Sequence, residues 1–161
     1  MILRDAVKND VKEILDIYNE AIVNSVSTFH TEEQSLGERN QWFDEHGKDH
    51  PILILELDGH VAAWGSLSMW NPKPAYNGTA ELTLYVNKVF RGGGLGNAMM
   101  EALLDKAKSI GLHTLISLIT SSNEASLCLH KKWSFSKVGV LKESGFKFNQ
   151  YHDVDIWQII L

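Results

Sequence analysis

The sequence predicts an α+β domain, a central mixed β-sheet with helices on both faces. Three observations carry that prediction. Strand-type and helix-type patterns follow one another in the order β-α-α-β-β-β-α-β-α-β-β, and helices spread among strands in this way cover both faces of a sheet. An alternating run from Glu81 to Val86 enters a glycine-crowded turn, and a helical pattern begins at once behind it. A chain of 161 residues, 44% hydrophobic and 22% charged, suits one globular domain over 1–161 with a single sizeable core.

Each element has its own local reason. Residues 2–6 read as a short first strand. Asp10 is placed to cap a helix whose apolar positions Val11, Ile14, Leu15, Tyr18, Ala21 and Ile22 recur at helical spacing. Ser35 followed by Glu38 has the form of a capping box and opens a second helix through Trp42 and Phe43. Strands over 52–57 and 61–68 flank Asp58-Gly59, a hairpin signal. Asn71-Pro72-Lys73-Pro74 is a loop, and 79–86 is the strand before the glycine turn. From 94 to 110 a helix presents Leu95, Met99, Leu103, Ala107 and Ile110 on one face, and Gly111 closes it. Residues 114–120 read as a buried strand, 124–133 as a helix, and two strands near 137–141 and 151–160 finish the chain.

Composition excludes several classes of function. A net charge of −5 argues against a general nucleic-acid or anionic-membrane binder. No apolar run approaches the length of a membrane span, and the first residues lack the plan of a signal peptide. Cys128 is the only cysteine, which forbids an intrachain disulfide and agrees with a reducing, cytoplasmic home. Its place in a helical pattern makes it a small core residue rather than a nucleophile. His46 and His50 stand four apart, but Gly47, Asp49 and Pro51 break the helix that a metal pair would need, so no metal is expected.

The glycine turn is the strongest chemical signal. Gly92, Gly93, Gly94 and Gly96 let consecutive N–H groups point into one concavity, and the helix start behind them adds unpaired N–H groups and partial positive charge. Such a site takes a phosphate or pyrophosphate, with a ligand-free turn as the plain alternative. The dinucleotide fingerprint fails, because its third glycine falls on Asn97 or Met99 depending on the starting point. A P-loop fails for want of Lys-Ser/Thr after the last glycine.

What fits is Arg91-x-x-Gly94-x-Gly96, which resembles the Arg/Gln-x-x-Gly-x-Gly/Ala signature of the GNAT N-acetyltransferases. Ile17-Tyr18-Asn19-Glu20-Ala21, Trp42-Phe43, Tyr85-Val86, Gly111-Leu112-His113, Asn123-x-x-Ser126 with Leu129-His130, and Gly145-x-Lys147-Phe148 are similar to one branch of that family. These are the phosphinothricin/methionine sulfoximine N-acetyltransferases, cytoplasmic enzymes that acetylate the α-amino group of glutamate-like compounds. The resemblance covers nearly the whole chain and implies a GNAT-like fold, acetyl-CoA as co-substrate, a small-molecule amine as acceptor and a homodimer. The dimer would bring the 147–151 segment near the partner's acceptor site.

The same resemblance assigns roles to residues. Arg91, Gly92, Gly93, Gly94, Leu95, Gly96 and Asn97 cradle the pyrophosphate. Leu84, Tyr85 and Val86 offer backbone groups to the pantetheine arm, with Asn123 and Ser126 beside it. Glu81 is the base that deprotonates the amine. Alternation sets it with Thr83 and Tyr85 on one face of the strand, and a carboxylate there loses solvation, which raises its pKa. His130 is the candidate acid, since imidazole donates protons near neutral pH. Trp70, Lys73, Tyr76, Asn77, Thr83 and Lys147 are the acceptor-side candidates, with Trp42 a further wall.

Three departures fall on the acceptor side. Asn77 stands where the branch has an Arg, and a neutral amide cannot make a bidentate charged pair with a carboxylate. Lys147-Phe148-Asn149-Gln150-Tyr151 replaces Lys-Phe-Gly-Arg-Trp, and Trp133-Ser134-Phe135 replaces Leu-Gly-Phe. Acetylation of a protein N-terminus or lysine is the alternative activity, and a non-catalytic acyl-CoA sensor the alternative class.

Overall fold

In a computed structural model that describes residues 1–161, the chain forms a seven-stranded sheet in the order β1-β2-β3-β4-β5-β7-β6. The strands are β1 (Ile2–Asp5), β2 (Ile52–Leu57), β3 (His60–Met69), β4 (Thr79–Val86), β5 (Thr114–Thr120), β6 (Ser136–Lys147) and β7 (Gln150–Ile160). The helices are α1 (Val11–Asn24), α2 (Leu36–Asp44), α3 (Leu95–Ser109) and α4 (Glu124–Lys132). Every neighbouring pair of strands is antiparallel except β4 and β5, which the α3 crossover joins in parallel. The sheet is therefore mixed, as the element order predicted.

Strand alternation divides the core into two layers. Ile52 and Ile54 of β2 turn toward α1 and meet Ile14, Ile17, Tyr18, Trp64 and Tyr85. Leu53 and Leu55 turn the other way and pack with Met99, Met100, Leu103 and Ala107 of α3. The helical α3 stripe read from the sequence is the one that buries. At Gly65 the sheet meets α3 so closely that a Cβ would lie 2.6 Å from Leu103 Cδ1.

The local signals mostly held. Ser35 and Glu38 form the reciprocal capping box, each satisfying the other's backbone N–H. Asp58 and Gly59 both have positive φ, as a two-residue hairpin requires. Asp10 stands at the N-cap of α1 without capping it. Its carboxylate instead accepts from the Val7 N–H at 2.7 Å and from the Arg4 guanidinium at 2.7 and 2.8 Å.

Two expectations need correction. β6 runs from Ser136 to Lys147, 12 residues and more than twice the span expected at 137–141. Register shifts at 137/139 and 141/145 interrupt its alternation, and the turn into β7 uses Phe148 and Asn149 at positive φ instead of glycine. Cys128 is exposed, not a core residue, because α4 turns it toward an open cleft.

Candidate active site

The parallel pairing of β4 and β5 stops at Glu81 and Ile116. Beyond that point β4 keeps only β3 and β5 keeps only β7, so the two strands splay and open a cleft of about 1030 Å³ between them. Leu82 to Val86 form one wall, and Ser117 to Thr120 form the other. The edge of β4 facing the cleft has no strand partner past residue 81, and an unpaired backbone edge is a template for an extended, amide-bearing ligand. Leu84, Tyr85 and Val86 lie on this wall of the cleft.

The glycine turn closes one end of this cleft. Asn87 caps a single 3-10 turn over Lys88–Phe90, and the chain then passes Gly92 at φ 85° and Gly94 at φ 80°, conformations open to glycine. None of the five successive N–H groups from Gly92 to Gly96 donates to a backbone acceptor. They meet the N-terminus of α3, which has no side-chain cap, so an anion there finds both donors and dipole. The donor set fits a pyrophosphate. Arg91 lies beside it, with Nε donating to Val86 O at 3.2 Å and a terminal N–H donating to Glu20 Oε2 at 2.7 Å.

Helix α4 forms the far wall. Asn123 caps it through Oδ1, which accepts from the Ser126 N–H at 3.3 Å. Asn97 accepts from Trp133 Nε1 at 3.2 Å and ties α3 to the end of α4. Asn97, Asn123, Ser126 and His130 all line the cleft. His130 is 4% exposed, with Nδ1 2.8 Å from Ser126 O and Nε2 3.0 Å from Ser117 Oγ. Burial pushes its pKa down, opposed in part by the Ser126 carbonyl.

Glu81 sits at the apex where the strands part, on the face turned to α1 and α2. It is half-buried with no ion pair, and loss of solvation raises its pKa. Its cross-strand partner Ser68 lies 2.9 Å from Nε2 of His46, whose Nδ1 lies 2.8 Å from Trp42 O. A carbonyl only accepts, so Nδ1 carries hydrogen, and burial keeps His46 neutral by lowering its pKa. Trp42 covers Arg39, whose buried guanidinium rests 3.9 Å from the Tyr18 ring centroid and 4.3 Å from that of Trp42.

The structure separates several residues that sequence had grouped. Thr83 lines the cleft, but Tyr85 sends its ring into the core, stacked 4.9 Å from Trp64, with its hydroxyl donating to Ser27 O at 3.1 Å. Lys147 is 4% exposed and donates to Ser25 O and Thr28 O, both at 2.8 Å, so it clamps the α1–α2 connection. Trp70, Lys73, Tyr76 and Asn77 lie in the β3–β4 connection, at the Glu81 end of β4, and none lines the cleft. Sequence reasoning missed Ser117, Glu20 and the cleft wall over 24–27. A serine inside the apolar run 114–120 was the one available signal.

The sequence model of the acetyltransferase (GNAT) family matches residues 11–135. The chain is 34% identical to an L-methionine sulfoximine/L-methionine sulfone acetyltransferase of Pseudomonas aeruginosa, over 99% of this chain and 94% of that one. Its fold superposes on a ribosomal-protein-alanine N-acetyltransferase of Brucella melitensis with a TM-score of 0.96, 32% identity and complete coverage of both chains. It superposes on a GNAT phosphinothricin acetyltransferase of Sinorhizobium meliloti, solved in complex with acetyl-CoA, with a TM-score of 0.94. There the identity is 29%, over 99% of this chain and 88% of that one.

Proposed function

The chain belongs to the GNAT acetyltransferase family and is an acetyl-CoA-dependent N-acetyltransferase; from that premise we propose that it acetylates the amino group of a small amino acid or analogue, with Glu81 as general base. The observation that carries the reading is Glu81 at the apex of the fork between β4 and β5, on the face opposite His130. Methionine sulfoximine and phosphinothricin head the acceptor class by likeness to the relatives.

Acetyl-CoA supplies an activated acetyl group. The free N–H groups of residues 92–96 hold its pyrophosphate, and the unpaired edge of β4 holds the pantetheine arm. Glu81 takes the proton of the acceptor ammonium, and a carboxyl raised by burial matches that task better than an ordinary one. His130 on the other face returns a proton to the leaving side. The 70–77 connection, reached from the Glu81 end, holds the acceptor.

One domain over 1–161 fits a sheet that joins both ends of the chain. A homodimer fits the edge strand β6 and its hairpin, where Phe146, Phe148 and Tyr151 are exposed by 54%, 53% and 64%. The supply of acetyl-CoA favours a cytoplasmic site of action.

The test is thiol release from acetyl-CoA across phosphinothricin, methionine sulfoximine, methionine sulfone, common amino acids, polyamines and an alanine-started peptide. Turnover with the amino-acid analogues supports the proposal. The likeness to the Brucella enzyme favours a second reading, a protein N-terminus as acceptor, and turnover confined to the peptide would establish it instead.

A further inference from the structure

At the apex of the cleft one hydroxyl hydrogen faces two acceptors. Ser117 Oγ lies 2.9 Å from Leu82 O and 3.0 Å from His130 Nε2. On the far side of the imidazole, Nδ1 lies 2.8 Å from Ser126 O. The Ser126 hydroxyl is a longer second neighbour of Nδ1 at 3.4 Å, and because the carbonyl at 2.8 Å accepts and never donates, the shorter contact puts the hydrogen on Nδ1. The chain Ser126 O, His130, Ser117, Leu82 O therefore has three links. A neutral imidazole and a hydroxyl together supply hydrogen for two of them.

We propose that Ser117 is a positioning residue that works as a proton-counting latch, joining the protonation of His130 to the Leu82 carbonyl at the fork of β4 and β5. With His130 neutral, Nε2 is an acceptor, so the Ser117 hydroxyl turns to it and Leu82 O is released. With His130 protonated, Nε2–H donates to Ser117 Oγ, and the hydroxyl hydrogen turns to Leu82 O. Proton uptake thus closes a side-chain bridge between the two splayed strands, and proton release opens it. Ser117 is 2% exposed and His130 4%, so water does not readily replace either bond.

No charged side chain biases the imidazole, because burial and the Ser126 carbonyl are the influences on it. The Phe135 ring packs edge-on at 4.9 Å from the turn after α4. Cys128, Lys131 and Lys132 on its own helix are exposed, and Asp155 of β7 is engaged by Ser121 and Lys137. The latch therefore belongs to Ser117 rather than to a distant ion pair. The latch goes beyond the reading of His130 as proton donor, since it needs only the hydrogen count over the three links.

The test is nitrogen-15 and carbonyl carbon-13 NMR of the full chain against pH, without acetyl-CoA. In the wild type, neutral His130 should show a bare Nε2 and a hydrogen on Nδ1. The Leu82 carbonyl shift should move with the His130 titration. In Ser117→Ala the protonated form loses a charge-assisted bond and the neutral form a weaker one, so the titration should fall by about one pH unit. The Leu82 carbonyl should then no longer follow it. A neutral wild-type His130 with hydrogen on Nε2, or an unchanged titration in S117A, overturns the latch. Turnover in His130→Gln separates the two claims, since unchanged turnover beside the expected NMR result removes the proton-donor role and leaves the latch standing.

Discussion

Replacing Gly145 by alanine drives a methyl group into Phe29. The added Cβ would lie 2.5, 2.6 and 2.8 Å from three ring carbons of that residue. Carbon–carbon contact needs about 3.5–4.0 Å, so ring or strand must yield by about 1 Å. The ring has little freedom to retreat. Lys147 holds the carbonyls of Ser25 and Thr28, Thr120 Oγ1 donates to Val26 O at 2.5 Å, and the Tyr85 hydroxyl holds Ser27 O. Overpacking of this kind costs about 1–3 kcal/mol. At about 2–4 °C per kcal/mol for a chain of this size, G145A should melt about 2–12 °C lower. Residues 24–27 also wall the cleft, so the same strain should raise KM, tenfold for about every 1.4 kcal/mol of binding lost. Circular dichroism melts and initial rates read both effects. Trimming the ring in the double variant G145A/Phe29→Leu should recover stability, with a coupling of about 1 kcal/mol or more. An unchanged melting temperature, or strict additivity in the double variant, would refute the contact.

Other perturbations separate the roles. Gly94→Ala has open space for its Cβ, so the cost is that of holding alanine at φ 80°, about 1–2 kcal/mol. The free turn escapes that cost by relaxing and must return to φ 80° to bind, so acetyl-CoA affinity by calorimetry should fall about five- to thirtyfold; a turn that stays at φ 80° would instead melt about 2–8 °C lower with affinity kept. Burial raises the Glu81 pKa, so the stability linked to its proton is full below the unfolded value of 4.5 and is lost as pH rises through the folded value. Glu81→Gln should therefore melt higher than wild type at neutral pH, with the gap closing in acid, while wild-type kcat/KM falls through the same raised pKa. Lys147→Met removes two charge-assisted bonds worth about 1.5–3 kcal/mol each, offset by relief of a buried ammonium. A net loss of about 2 kcal/mol should lower melting by about 4–8 °C. A raised acceptor KM with unchanged melting would instead return Lys147 to the acceptor.

Local chemistry made much of this legible. The Ser35–Glu38 box, the Asp58-Gly59 hairpin and the bounds of β2, β4 and β5 follow from signals carried within a few residues. So does the glycine turn, because a run of glycines before a helix states its own geometry. What escaped depends on distant partners. The splay after Glu81 is a failure of two strands to stay paired, and neither strand's pattern records it. Lys147 looked like an acceptor contact because its carbonyl partners lie more than a hundred residues away. The bulges of β6 break the alternation that marks a strand, so its pattern is legible only near 137–141. Ser117 acquires a role only from His130 and Leu82 on either side of it, neither of which is near it in sequence.

The central claim is that acetyl-CoA is held by the glycine turn and the open edge of β4, while Glu81 alone takes the acceptor's proton. Its most direct test is Glu81→Gln, with acetyl-CoA binding by calorimetry and thiol release with the best acceptor measured on one preparation. Acetyl-CoA affinity should stay within about twofold of wild type while kcat falls about 10²–10⁴-fold, the range for loss of a general base. Unchanged turnover, or affinity lost together with turnover, would contradict the account.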